Sequence, residues 1–170
     1  MEQRLQREFF SRDCLEVAPE LVGKVLACRQ EDGQVLRLRI CETEAYRGES
    51  DTACHASHGR TKRTEVLYMG PGTIYVYLCY GIHWLLNVIT GQVDQPQGVL
   101  IRACAEAPGP GRLTKALGVT GELNRQDIVT SPVLWLEDDG FRCTILTDKR
   151  VGIGYAAQAD QDRLWRFKMA

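Results

Sequence analysis

The chain has no apolar run long enough to cross a bilayer, no internal repeat, no low-complexity tract and no domain-scale linker. Its opening residues, MEQRLQREFF, lack the basic and then apolar order of a secretion signal, so a cytoplasmic protein is expected. Paired metal-ligand spacings are missing too. Cysteines fall at 14, 28, 41, 54, 79, 104 and 143, an odd count without a CxxC or a paired Cys/His spacing, which argues against a disulfide framework and a zinc site. Small buried core residues are the reading that remains for most of them. A strong charge of either sign is also absent: the formal net charge is −1, which argues mildly against a nucleic-acid partner, since such partners usually meet a basic surface.

What is present is enough for one domain. The 170 residues carry 44% hydrophobic and 25% charged side chains, the balance of a globular chain that can bury a core. A short helical segment over 13–23, interrupted by Pro19, precedes two alternating runs, 24–28 and 35–40, that flank the turn signal Asp32-Gly33 and read as a hairpin. Residues 47–72 read as loop, with a short helix near Thr64 to Tyr68. Strands are expected at 73–80 and 82–90, joined tightly at Tyr80-Gly81, then at 98–105, near 133–137 and near 143–147, with a helix over Leu113 to Leu117. Strands this close, with few helices between them, give an α+β class built on a curved, mainly antiparallel sheet with peripheral helices.

Chemistry-bearing residues gather in CETEAYRGESDTACHASH, residues 41–58. Leu36, Leu38 and Ile40 share one strand face, and unbroken alternation puts Glu42 and Glu44 on that same apolar face. A carboxylate there is costly unless paired or functional; the same pattern also fits a strand that ends at Glu42 with both acids in water. His55 and His58 lack the helical spacing of a zinc protease, and no GxSxG elbow exists for a serine hydrolase. What the segment offers is a carboxylate close to aromatic rings, suited to activating water beside a planar substrate. In YVYLCYGIHWLLN, residues 75–87, Tyr75 and Tyr77 share a face that fits either core packing or a site, whereas Tyr80 falls at the hairpin turn. A ring projecting there, near Ile82, His83 and Trp84, has the shape of a wedge for a base stack. Arg60, Lys62 and Arg63 in GRTKR, and Arg112 and Lys115 in GRLTK, form two local basic groups that fit solvated faces or phosphate contacts.

These motifs, ETEAYRGESDTACHAS, TKRTEV, GPGTIYVYLCYGIHWLLNVITG, GVLIRA, GPGRLTKALGV, RVGIGYA and LWRF, run in order through nearly the whole chain. Together they closely resemble the alkyladenine (3-methyladenine, methylpurine) DNA glycosylases. The resemblance implies a monofunctional base-excision repair enzyme that acts on double-stranded DNA containing a damaged purine and associates with the nucleoid when bound; no cofactor or metal is expected, and a monomer fits an enzyme that reads one nucleotide. It implies that Glu44 is the general base, that Arg102 helps to hold the attacking water, and that Tyr46, His55 and Tyr77 enclose the flipped base. By the same resemblance Asn87 crowds the 2-amino group of guanine, Leu100 lines the pocket, and Tyr80 fills the gap left in the duplex. Arg60, Lys62, Arg63, Arg112 and Lys115 then become phosphate contacts. Against the family pattern the chain is shortened near 106–110 and at the C-terminus, and carries Thr64 where many members have asparagine. A damage-binding protein without catalysis, and an RNA-binding module, are the two rival readings.

Overall fold

The computed structural model describes residues 3–170, whose strands form one open, antiparallel sheet of nine. Its main path runs β1 (Gln3–Arg4), β7 (Leu134–Asp138), β2 (Val25–Arg29), β3 (Val35–Arg47), β6 (Gln97–Cys104), β5 (His83–Ile89) and β4 (Ile74–Cys79). Two further strands, β8 (Ile145–Asp148) and β9 (Arg166–Met169), pair with each other, and β9 also joins β3. The short helices are α1 (Arg7–Phe10), α2 (Cys14–Leu21), α3 (Pro110–Leu117) and α4 (Gln158–Gln161). The α+β class read from the sequence is the class observed.

One face of the sheet is sealed by α2. The Asp13 carboxylate caps this helix by accepting from Leu15 N at 2.9 Å, and Val17, Ala18 and Leu21 turn inward onto Leu26, Ile40, Val99 and Ile101. Each of the fully buried valine, leucine and isoleucine side chains contributes about 1.5–3 kcal/mol relative to exposure. Pro19 does not interrupt α2, which continues to Leu21. Proline forgoes only its own N–H bond to the preceding turn, and in so short a helix the packed apolar stripe outweighs that loss.

β3 is the central strand and is longer than its alternation predicted. Its first half pairs with β2, from Val25↔Arg39 to Arg29↔Val35, and its second half pairs with β9, while β6 borders the other side. Opposite Cys104 and Ala103 the ladder slips between Ile40, Glu42 and Thr43. Ile40 faces the core, yet so do Thr43, whose hydroxyl donates to Ala18 O at 2.7 Å, and Ala45. The irregularity therefore moves the alternation on by one residue. The expectation that Glu42 and Glu44 extend the Leu38 and Ile40 face is corrected by this slip: both acids lie on the opposite face, away from α2.

β4 and β5 form a ribbon in register from Ile74↔Val88 to Cys79↔His83. Tyr80 at φ 52° and Gly81 at φ 67° occupy its turn, closed by Ile82 N donating to Cys79 O at 3.1 Å. Two successive positive φ values match the twist of a hairpin, which is why glycine follows the tyrosine. α3 docks beside the ribbon so closely that a Cβ on Gly111 would lie 2.9 Å from His83 Nδ1.

Candidate active site

On the face of β3 opened by the slip, Glu44 is fully buried. Both of its oxygens are held by neutral donors: Tyr46 Oη donates to Oε1 at 2.8 Å, and Val151 N donates to Oε2 at 2.7 Å. The nearest cation, Arg102 Nε on β6, stands 3.9 Å from Oε2, beyond hydrogen-bond distance. Burial pushes the Glu44 carboxyl above its usual range, opposed by the Val151 amide, Arg102, Tyr46 and Arg150. A carboxylate that is desolvated but not locked in a tight ion pair is suited to taking a proton.

Next to it lies an aromatic cavity. Tyr46, Cys54, His55, Leu67, Tyr75, Tyr77 and Asn87 contribute to its walls, with Tyr155. His55, at the start of a 3₁₀ turn (His55–His58), bonds the Tyr75 hydroxyl through Nδ1 at 2.8 Å and meets Tyr77 edge-on, ring centroids 4.7 Å apart. Burial, reinforced by Arg63 and His58, pulls the His55 pKa down to about 4, so at neutral pH the ring is uncharged. Tyr75 faces Asn87 across the ribbon, and Asn87 Nδ2 donates to Tyr75 O at 3.2 Å. Burial raises the Tyr46 hydroxyl well above its usual range, with the Glu44 charge adding to it, so it stays protonated as the donor to Glu44.

A wider groove adjoins the cavity. It runs past Glu44, Leu100 and Arg102, between the ribbon tip and the start of α3 at residues 109–112, with Val151, Gly152 and Ile153 on its rim. The residues singled out from the sequence thus converge: Glu44, Tyr46, His55, Tyr77, Leu100 and Arg102 border one connected depression, with Asn87 at its inner end. Tyr80 stands at the tip with 90% of its surface exposed, flanked by exposed Leu78 and Ile82.

The five cations separate into kinds. Arg60 is tied to Glu65 by two 2.7 Å bonds and to Asp94 at 3.1 Å, and it covers the Tyr68 ring, so its charge is already compensated. Arg63 lies over Tyr77 at 5.3 Å and lines the groove. Lys62, Arg112 and Lys115 have no carboxylate partner among the described residues, and all three are exposed.

Sequence reasoning passed over three contributors. Arg150, completely buried, makes bonds of 2.7 and 3.0 Å to Asp51, donates to Ala45 O, and sits 4.9 Å from the Tyr46 ring. This ion pair anchors the loop in which Val151 offers its N–H to Glu44. Tyr155 donates to Ala53 O at 2.8 Å and lies at the cavity mouth. The signal lay in RVGIGYA, which contains Arg150, Val151 and Tyr155, but nothing local in that string connects it to a strand a hundred positions earlier.

A buried carboxylate beside an aromatic cavity, in a groove that Arg63 and Arg112 border, is an arrangement suited to hydrolysis next to a planar ring. Comparison with known proteins agrees. The sequence model of the methylpurine-DNA glycosylase family matches residues 8–107 and 105–170. A candidate 3-methyladenine DNA glycosylase of Desulfitobacterium hafniense is 42% identical over 193 residues, covering 97% of this chain and 94% of the relative. Similarly named proteins of Psychrobacter cryohalolentis and Methanocella arvoryzae are each 41% identical, covering 90% and 96% of this chain and 86% and 90% of their own lengths. The chain belongs to the methylpurine-DNA glycosylase family. Its reaction class is N-glycosyl hydrolysis, the removal of alkylated bases in DNA repair.

Proposed function

We propose that this protein works as a cytoplasmic monomer that rotates a damaged purine nucleotide out of duplex DNA, receives the base among Tyr46, His55 and Tyr77, and hydrolyses its bond to C1′. The observation that carries the proposal is Glu44: fully buried, held by two neutral donors, and lining the open groove together with Tyr46, His55 and Tyr77 of the aromatic cavity. Rotation costs a few kcal/mol, less for a damaged pair. Insertion of Tyr80, with Leu78 and Ile82 beside it, offsets part of that by filling the vacated stack.

Within the cavity, ring stacking of about 1–3 kcal/mol tolerates several modified purines, and a cationic alkylated base gains further from the tyrosine faces. Asn87 selects by crowding: a guanine 2-amino group meets its amide. Glu44 takes a proton from water as the water oxygen bonds to C1′ and the C1′–N bond breaks, its electron pair leaving with the base. The carboxylate charge also favours the positive character that develops on the sugar. Substrates of this chemistry include 3-methyladenine, hypoxanthine and ethenoadenine, and the product is an abasic site. Lys62, Arg112 and Lys115, with Arg63, supply phosphate contacts that weaken with salt.

The test is release of hypoxanthine and 3-methyladenine from duplex oligonucleotides in EDTA. The wild-type protein is expected to release base, and Glu44→Gln to lose about 10²–10⁴-fold in rate while still binding lesion DNA. A folded wild-type protein that binds lesion DNA but releases nothing would favour the damage-binding reading. Preference for structured RNA over lesion duplex in competition would favour the RNA reading.

A further inference from the structure

The two arginines nearest Glu44 on its neighbouring strands are both drawn away from it by one atom. β9 sets Arg166 directly across from Glu44, and β6 sets Arg102 on the diagonal, two residues beyond Leu100, the direct partner of Glu44. Cross-strand neighbours of opposite charge on one sheet face ordinarily pair. Here Arg102 Nε instead donates to Glu42 Oε1 at 3.1 Å, and Arg166 Nη1 donates to the same oxygen at 3.0 Å. Arg166 is further held by Asp148 at 3.1 Å and by Lys149 O. Among the described residues, no arginine hydrogen bond reaches Glu44. We propose that Glu42 is a positioning residue for base excision: its carboxylate sequesters Arg102 and Arg166, keeps a water-sized approach to Glu44 open, and aims Arg102 at the water rather than at the base.

The proposal rests on Glu44 acting as the base and adds what keeps it competent. A charge-assisted Arg–Glu bond is among the strongest side-chain hydrogen bonds, so without a competing acceptor Arg102 closes the 3.9 Å gap onto Glu44. That closure lowers Glu44 basicity and occupies the space where water stands. The charged and titratable groups facing Glu44 are Glu42 and Tyr46 from its own strand, Arg102 from β6, Arg166 from β9, and Arg150 and Tyr155 from the following loop. Of these, Arg102 and Arg166 are the cations whose aim Glu42 controls.

Single-turnover excision of hypoxanthine across about pH 5 to 9 tests this, with binding to uncleaved lesion DNA and thermal melting measured alongside. Glu42→Gln is expected to move the acid limb of the rate profile about one to three pH units lower. Its plateau should fall roughly 10–100-fold, with affinity for lesion DNA retained. Glu42→Asp, which keeps the charge, should hold the limb near its wild-type position. Combining Glu42→Gln with Arg102→Gln should cost less than the product of the two separate losses, since both act through one arginine. An unmoved limb in well-folded Glu42→Gln, an upward shift, or losses that simply multiply would overturn the proposal. Glu44→Gln run in parallel separates the failures: if it retains full activity the assignment of the base falls, and if it is inactive while Glu42→Gln behaves as wild type only the role of Glu42 falls. Should Glu42→Gln fail to fold, Glu42→Asp and the Arg102→Gln profile decide, an Asp variant with a shifted limb counting against the role of charge.

Discussion

The two ends of the β4–β5 ribbon use the same residue type in opposite ways. At its inner end Tyr75 is buried against His55 and Tyr77, with its backbone carbonyl bonded to Asn87, so the ring is part of a packed wall. Three positions beyond Tyr77, Tyr80 is 90% exposed, in a backbone conformation that non-glycine residues seldom adopt. A wall ring contributes to folding and to binding together. A tip ring contributes little to folding, and under the proposed function the strain and exposed apolar surface there serve contact with DNA.

Breaking the support behind the wall gives the largest effect. Asp51→Ala leaves Arg150 buried without its carboxylate, and about 3–5 kcal/mol of stability should be lost in urea unfolding, with excision falling as the Val151 loop loosens. The tip should behave the other way. Tyr80→Ala is expected to leave the unfolding midpoint within about 0.5 kcal/mol of wild type. Excision from duplex should drop roughly 5–150-fold, the equivalent of about 1–3 kcal/mol of lost stacking. If Tyr80→Ala unfolds the protein without a selective loss of excision, the contrast between wall and tip collapses.

A smaller, pH-dependent effect sharpens it. His55 in the wall has its pKa lowered from 6.5 to about 4, first by burial, so between those values the unfolded chain binds a proton that the folded chain does not. Stability should therefore decline as pH falls from about 6.5 towards 4 and be insensitive to this group above that window. Comparing urea midpoints at neutral and acidic pH for wild type and His55→Gln checks this: the variant should show the shallower decline.

Much of the fold was legible because its signals are local. Asp32-Gly33 marked the first hairpin, alternation marked β2, β4, β5 and β6, and the 3₁₀ turn Thr64–Tyr68 falls where a short helix was read. The misses have local causes as well. β1 and β9 have only two and four residues, too few to show a period, and both exist because a partner strand is waiting. α3 begins at Pro110, earlier than read, because a glycine N-cap with proline at the first position carries no apolar signal. The identities of Glu44, Tyr46, His55 and Tyr77 were readable as a motif, whereas Arg150 and Val151 were visible only as part of RVGIGYA and their roles were not, since these depend on a contact more than a hundred residues away.

By itself the sequence determined the composition of the site: an acid, three rings, an asparagine and a turn tyrosine, in an order specific enough to indicate a family. Which face the acid occupies was decided only by the tertiary structure. Alternation alone sends Glu44 into the core beside Ile40; the slip of β3 against β6 sends it to the groove, and Glu42 with it. Local pattern fixes which side chains alternate, but the phase of that alternation after an irregularity is set by the hydrogen bonds of the neighbouring strand.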